Sequence, residues 1–210
     1  MSLQPYSAYC IRDTVAMSTK SVTGTQTEYN LLNSFARKCQ ARQRYEMFAK
    51  VAKKEGYEQI SAIFQKTADQ EKWHAKRFFR FLESGADTEI TATYRAGVVG
   101  DTAANLREAA GGEYQEWTTL YPQFAQTAQE EGFREIAVAY RLIAKCEESH
   151  ERRFKALLDN VESGSVFEKE EEVYWECRVC GHIHHGKKAP TTCATCSHPQ
   201  AYFELRVDNF

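Results

Sequence analysis

Two sets of side chains with metal chemistry are regularly spaced along this chain. Near the C-terminus, Cys177-x-x-Cys180 and Cys193-x-x-Cys196 form two pairs with 12 residues between them. A Cys-x-x-Cys pair folds into a knuckle whose sulfurs reach one ion, and two knuckles supply a tetrahedral site of four sulfurs. The spacing suits zinc, as a structural ribbon, or iron, as a one-electron carrier. His182, His184, His185 and His198 are expected in turns and on the surface, because four thiolates already complete the shell. Upstream, Glu71-x-x-His74 and Glu147-x-x-His150 recur, with Glu113-x-x-Glu116 between them. Three residues apart on a helix is the same face, one turn on. Mixed carboxylate and imidazole suits iron or manganese better than calcium, which prefers oxygen alone.

Helices must position these groups. Residues 25–162 carry few Pro and an apolar period near 3.6. Within them runs an internal repeat at an offset of 76 residues: Tyr45 matches Tyr121, Gly56 matches Gly132, Glu71 matches Glu147, His74 matches His150 and Phe78 matches Phe154. Each copy reads as an αα-hairpin turning at its Gly. The expected helices are 26–55, 57–84, 101–131 and 133–161. The connection 85–100 is long enough, at about 50 Å extended, to run the length of a helix of about 42 Å. That suits a ferritin-like bundle with one crossover, although an up-down-up-down bundle with a loose loop is also compatible.

On the second helix the core seam reads Ile60, Phe64, Thr67, Glu71, His74, Phe78, Phe81. On the fourth it reads Ile136, Tyr140, Ile143, Glu147, His150, Phe154, Leu157, and on the third Leu106, Ala110, Glu113, Glu116, Leu120, Phe124. Glu71 and Glu147 each lie 15 residues beyond their hairpin Gly, and Glu116 lies 16 before Gly132. All the interruptions therefore fall at one depth. Four carboxylates in a core repel one another unless cations neutralise them, and two divalent ions would balance four.

Composition excludes several classes. Hydrophobic residues make up 42% of the 210, enough for a core, and the formal net charge of −2 gives no reason to expect nucleic acid or an anionic membrane as partner. The longest apolar run, Ile136 to Tyr140, is too short to span a bilayer. Seven cysteines, with Cys10, Cys39 and Cys146 unpaired by spacing, argue for a metal site in a reducing compartment rather than a disulfide framework. The first 20 residues lack a secretory apolar stretch, so a cytoplasmic location is expected, with Met17 opening the compact region. The expected division is an extension at 1–24, the bundle at 25–162, a linker at 163–172 and a four-cysteine domain at 173–210. Trp175, Tyr174, Tyr202 and Phe203 are expected to form the small domain's core.

From about Thr25 to Leu205 the sequence resembles the rubrerythrin family. The resemblance rests on Gln40-Ala-Arg-Gln-Arg-Tyr45, Thr67-Ala-Asp-Gln-Glu71-Lys-Trp-His74, Gly112-Glu113-Tyr-Gln-Glu116, Leu120-Tyr-Pro-Gln-Phe124, Glu147-Glu-Ser-His150, and the knuckles ending Cys196-x-His198-Pro199. It implies a mainly α fold: a ferritin-like four-helix bundle followed by a small rubredoxin-like domain. Glu71, His74, Glu113, Glu116, Glu147 and His150 would ligate a non-haem di-iron centre. Cys177, Cys180, Cys193 and Cys196 would hold a rubredoxin-type mononuclear iron. Tyr45 and Tyr121 would hydrogen-bond ligand carboxylates, or simply pack in the core, and Glu116 would relay protons or change its coordination.

One position departs from the pattern. The family places a ligand Glu on the first helix before x-Gln-Ala-Arg, and here that position holds Lys38, followed by Cys39, which is expected to be a buried free thiol. An ammonium about 6 Å from a dication costs on the order of 5 kcal/mol at an effective dielectric of about 20. Lys38 is therefore expected to swing out, lose its proton or displace the nearer metal, leaving one iron weakened, missing or completed by water.

The activity implied is a peroxidase that reduces hydrogen peroxide to water. Its electrons would come from a rubredoxin or an NAD(P)H-dependent reductase, and the family implies a head-to-tail homodimer with transfer between subunits. A ferroxidase or iron store, and an impaired electron-transfer or zinc-binding scaffold, are the competing readings.

Overall fold

The structure is a computed structural model and describes residues 20–209. Most of the expected N-terminal extension, including Cys10 and Met17, lies outside the described residues. Five α-helices come first: α1 (Gln26–Lys54), α2 (Glu58–Phe79), α3 (Thr102–Gln115), α4 (Tyr121–Glu130) and α5 (Arg134–Glu162). A single π-helical stretch, Glu116–Leu120, joins α3 to α4. Three strands follow: β1 (Glu168–Cys177), β2 (Ile183–Lys188) and β3 (Phe203–Leu205), in the order β2-β1-β3, all antiparallel.

Local chemistry sets the helix ends. Thr25 accepts the Glu28 N–H at 3.2 Å and starts α1, and Asp101 accepts the Ala104 N–H at 2.8 Å and starts α3. Gly56 and Gly132 take φ of 86° and 85°, which lets the next N–H reach back: Tyr57 to the Ala52 carbonyl at 2.8 Å, and Phe133 to that of Ala128 at 2.7 Å. These tight reversals make α1–α2 and α3/α4–α5 the two close antiparallel pairs.

The segment between α2 and α3 settles the bundle topology. It runs beside α1: Glu89 and Thr91 lie by Tyr29 and Asn33, Arg37 donates to the Thr93 carbonyl at 2.8 Å, Arg44 bonds the Arg95 carbonyl, and Thr102 N–H donates to Glu55 at 3.0 Å. The crossover thus travels the length of α1 and starts α3 at the end where α2 starts. This is the ferritin-like arrangement, not the simple up-and-down bundle.

Two expectations change. The third helix is not continuous, because the π turn adds a residue at Glu116. After it the fully buried seam is Tyr121, Ala125 and Ala128 rather than Leu120 and Phe124, which are half-buried. In the small domain Trp175 and Phe203 are buried with Ala189, Cys177 and Cys193, but Tyr174 is exposed on the outer face of β1 and Tyr202 is only half-buried.

Candidate metal centres

In the small domain the two knuckles are near copies. Gly181 N–H donates to the Cys177 carbonyl at 2.8 Å, and Ser197 N–H to that of Cys193 at 2.9 Å. Gly181 and Ser197 both take positive φ, 73° and 61°. The Cys177–Cys196 and Cys180–Cys193 sulfurs are each 3.7 Å apart. A tetrahedron with metal–sulfur bonds of about 2.3 Å has edges of about 3.8 Å, so the four sulfurs fit one ion. Burial would raise the Cys193 thiol, but the backbone N–H groups of Cys196 and Thr195 bring it down to about 6, favouring the thiolate that binds metal.

The bundle brings Glu71, Glu113, Glu147 and His150 together with ligand atoms within 4.8 Å of one another. Glu71 and Glu147 are fully buried, and Glu113, Glu116 and His150 nearly so. The carboxylates divide oxygen by oxygen. Glu71 Oε1 and Glu147 Oε2 face His150 Nδ1 at 3.1 and 2.9 Å, with Glu113 Oε1 at 3.8 Å from the same nitrogen. Glu71 Oε2 and Glu147 Oε1 turn the other way, toward His74 Nδ1 at 3.7 and 3.1 Å. Two adjacent cation positions result, with Glu71 and Glu147 spanning both.

Lys38 does not swing out. It is fully buried, with Nζ 2.6 Å from Glu71 Oε2, 2.8 Å from Glu147 Oε1, 2.5 Å from Glu116 Oε2 and 3.8 Å from Glu113 Oε2. Burial alone would lower its pKa, but the carboxylates of Glu116, Glu147 and Glu71 hold it well above the usual lysine value. The ammonium in turn holds Glu71 well below the carboxylate range against its own burial. Burial and the neighbouring carboxylates push Glu116 up to about 8 in spite of Lys38.

These contacts are short, yet neither Nζ, nor Glu71 and Glu147, nor the two Nδ1 atoms have a partner in hydrogen-bond geometry. Buried polar atoms left this way are costly unless an ion satisfies them. Around His150 the donor set fits a divalent transition ion. Around His74 the oxygens are of the same kind, but Lys38 Nζ stands among them.

Tyr45 donates to Glu113 Oε1 at 2.5 Å, whereas the buried Tyr121 hydroxyl finds no partner. The Tyr121 ring lies instead 5.5 Å from Lys38 Nζ. The π turn places Glu116 and Tyr121 on one inner face, because five residues apart diverge on an α-helix and realign on the wider π turn. Cys39 is exposed rather than buried, since it follows Lys38 on α1 and so points about 100° away. The sequence reading missed a cavity of about 50 Å³ lined by Arg37, Arg44, Tyr94 and Arg95, reaching Glu113 and Glu116. It also missed buried Glu151, which accepts the Trp117 N–H at 2.7 Å. The Gln40-Ala-Arg-Gln-Arg44 run hinted at the cavity, but nothing in sequence placed the crossover over it.

The model of the rubrerythrin family matches residues 29–158, and that of the rubrerythrin rubredoxin-like domain matches residues 175–204. A rubrerythrin of Porphyromonas gingivalis is 60% identical over 191 residues, covering 91% of this chain and 95% of that protein. The structure of fully reduced, all-ferrous nigerythrin superposes with a TM-score of 0.59 at 28% identity, covering 98% of this chain and 100% of its own. The bacterioferritin of Mycobacterium tuberculosis shares the bundle fold at a TM-score of 0.56 and 17% identity, over 67% of this chain and 89% of its own.

Proposed function

The chain belongs to the rubrerythrin family, di-iron proteins with a rubredoxin-like domain, and on that premise we propose that it is a non-haem iron peroxidase reducing hydrogen peroxide to water. The observation that carries this reading is the pair of cation positions spanned by Glu71 and Glu147, beside a cavity that ends on Glu113 and Glu116. Iron in the bundle would supply electrons to the peroxide bond, and iron on the four thiolates would pass single electrons onward.

The protein's own groups do the rest. Glu71, Glu147, Glu113 and His150 are the proposed ligands of one bundle position, His74 and Glu116 line the other beside Lys38, and Cys177, Cys180, Cys193 and Cys196 are the proposed ligands of the small domain. The cavity of about 50 Å³ is roomy enough for water-sized molecules, and hydrogen peroxide is of that class. Tyr45 fixes the carboxylate of Glu113 by donating to Oε1. Glu116, at the cavity floor, is placed to take or hand on a proton at a carboxylate oxygen.

Ala201 lies against Gly56, and Phe167 stacks on Tyr57, so the small domain docks at the hairpin end of α2. Glu71 is 15 residues further along, about 22 Å. That separation supports electron transfer between the subunits of a head-to-tail homodimer, fed by a rubredoxin or an NAD(P)H-dependent reductase.

Anaerobic mixing of the reduced, iron-loaded protein with hydrogen peroxide tests the reading. Oxidation of the thiolate-bound iron should be faster with peroxide than with dioxygen. Preference for dioxygen, with iron accumulating beyond the two centres, would identify a ferroxidase instead. Buried Lys38 favours a second reading, an impaired centre serving electron transfer. Peroxide reactivity absent in the native chain and restored by Lys38→Glu would select it.

A further inference from the structure

We propose that Lys38 Nζ takes one of the two cation positions of the bundle, so that the centre of this chain binds a single divalent ion, at the position formed by Glu71 Oε1, Glu147 Oε2, Glu113 and His150. The proposal rests on reading the cluster as a metal centre, but not on the identity of the reaction.

Three observations converge. First, the oxygens that Nζ contacts within 2.8 Å are Glu71 Oε2, Glu147 Oε1 and Glu116 Oε2, and two of these also face His74. They are the donors an ion beside His74 would need. An ion bonded to them at about 2.1 Å would compete for the same lone pairs in the same space, so Nζ and the ion exclude each other.

Second, the His150 position keeps its own donors. Glu71 Oε1 and Glu147 Oε2 lie within 3.1 Å of His150 Nδ1, and Nζ contacts the opposite oxygens of both residues. Glu113 divides in the same way, with Oε2 toward Nζ and Oε1 toward His150 Nδ1, at 3.8 Å each. Filling the His150 position therefore leaves the Lys38 contacts to Glu71, Glu116 and Glu147 intact.

Third, the way out is unfavourable. A pocket of about 320 Å³ lies against Lys38 between α1 and α2, but it is rimmed by Arg42, Lys72 and Lys76 and by the rings of Phe35 and Phe79. Moving Nζ there would exchange three carboxylates for three cations.

Manganese(II) tests this, because a hard ion prefers the carboxylate and imidazole donors to the four thiolates. The full-length metal-free chain is titrated with manganese, and bound metal per chain is measured together with the electron paramagnetic resonance spectrum. One tightly bound ion, with the six-line spectrum of an isolated centre, is expected. Lys38→Glu should raise the count to two and give an exchange-coupled pair. Lys38→Met, which keeps the stem and removes Nζ, should also admit a second ion, more weakly. Two coupled ions in the native chain would overturn the proposal while leaving the metal-centre reading intact. No bound ion in the bundle would overturn both.

Discussion

Lys38 and His150 sit on opposite sides of the same two carboxylates. Glu71 turns Oε2 to the lysine at 2.6 Å and Oε1 to the imidazole at 3.1 Å, and Glu147 does the same at 2.8 and 2.9 Å. One buried lysine thus stands where a symmetric repeat of Glu-x-x-His would otherwise build two equivalent cation positions.

Lys38 should stabilise the metal-free bundle. Removing one partner of a buried ion cluster strands the others and costs about 3–5 kcal/mol. Lys38→Met should lower urea stability by that order without metal and recover most of it with manganese. A metal-independent loss would mean that the lysine only packs.

The two buried tyrosines should separate. Tyr45 holds Glu113 Oε1 at 2.5 Å, whereas the Tyr121 hydroxyl has no partner. Tyr45→Phe should weaken metal binding about 10-fold or more, as loss of a bond to a ligand carboxylate does. Tyr121→Phe should change affinity little. Equal effects in a titration of the two variants would contradict this geometry.

The four-cysteine domain should depend on its ion. Its apolar core is little more than Trp175, Phe203 and Ala189 beside the cysteines, too small to fold a module of this size alone. Cys193→Ser, or a strong chelator, should unfold residues 168–205 while α1–α5 stay folded. Amide exchange over the two regions reads this out, and continued protection of β1 without metal would refute it.

Positive-φ positions should respond by backbone strain alone. Gly132, at φ 85°, has open space where a Cβ would go, so Gly132→Ala should cost about 1–2 kcal/mol. Ser197→Gly, at φ 61°, should stabilise the second knuckle by up to about 1 kcal/mol. Denaturation midpoints of the two variants should move in opposite directions.

Much of this site was legible in sequence because buried charge is rare. Glu71 and Glu147 broke otherwise apolar seams at one depth, and all six Glu and His residues read as ligands do converge. The knuckles were equally plain from spacing. Other features were not legible because they depend on one residue's displacement or on distant packing. The π turn at Glu116 shifts the following seam by one position, and a gapless match between the two hairpins hides such an insertion. Lys38 turns inward because several carboxylates meet there, so its orientation follows from partners 33 or more residues away. The cavity beside Glu116 exists because the crossover lies over α1, a path that no local pattern encodes.

The measurement that bears most directly on the centre is anomalous diffraction from crystals of the full chain loaded with manganese, recorded at the metal's absorption edge. A single bundle peak is expected, bonded to Glu71, Glu113, Glu147 and His150, with Lys38 Nζ still on the far oxygens of Glu71 and Glu147. Two peaks with Lys38 displaced, or none in the bundle, would contradict it.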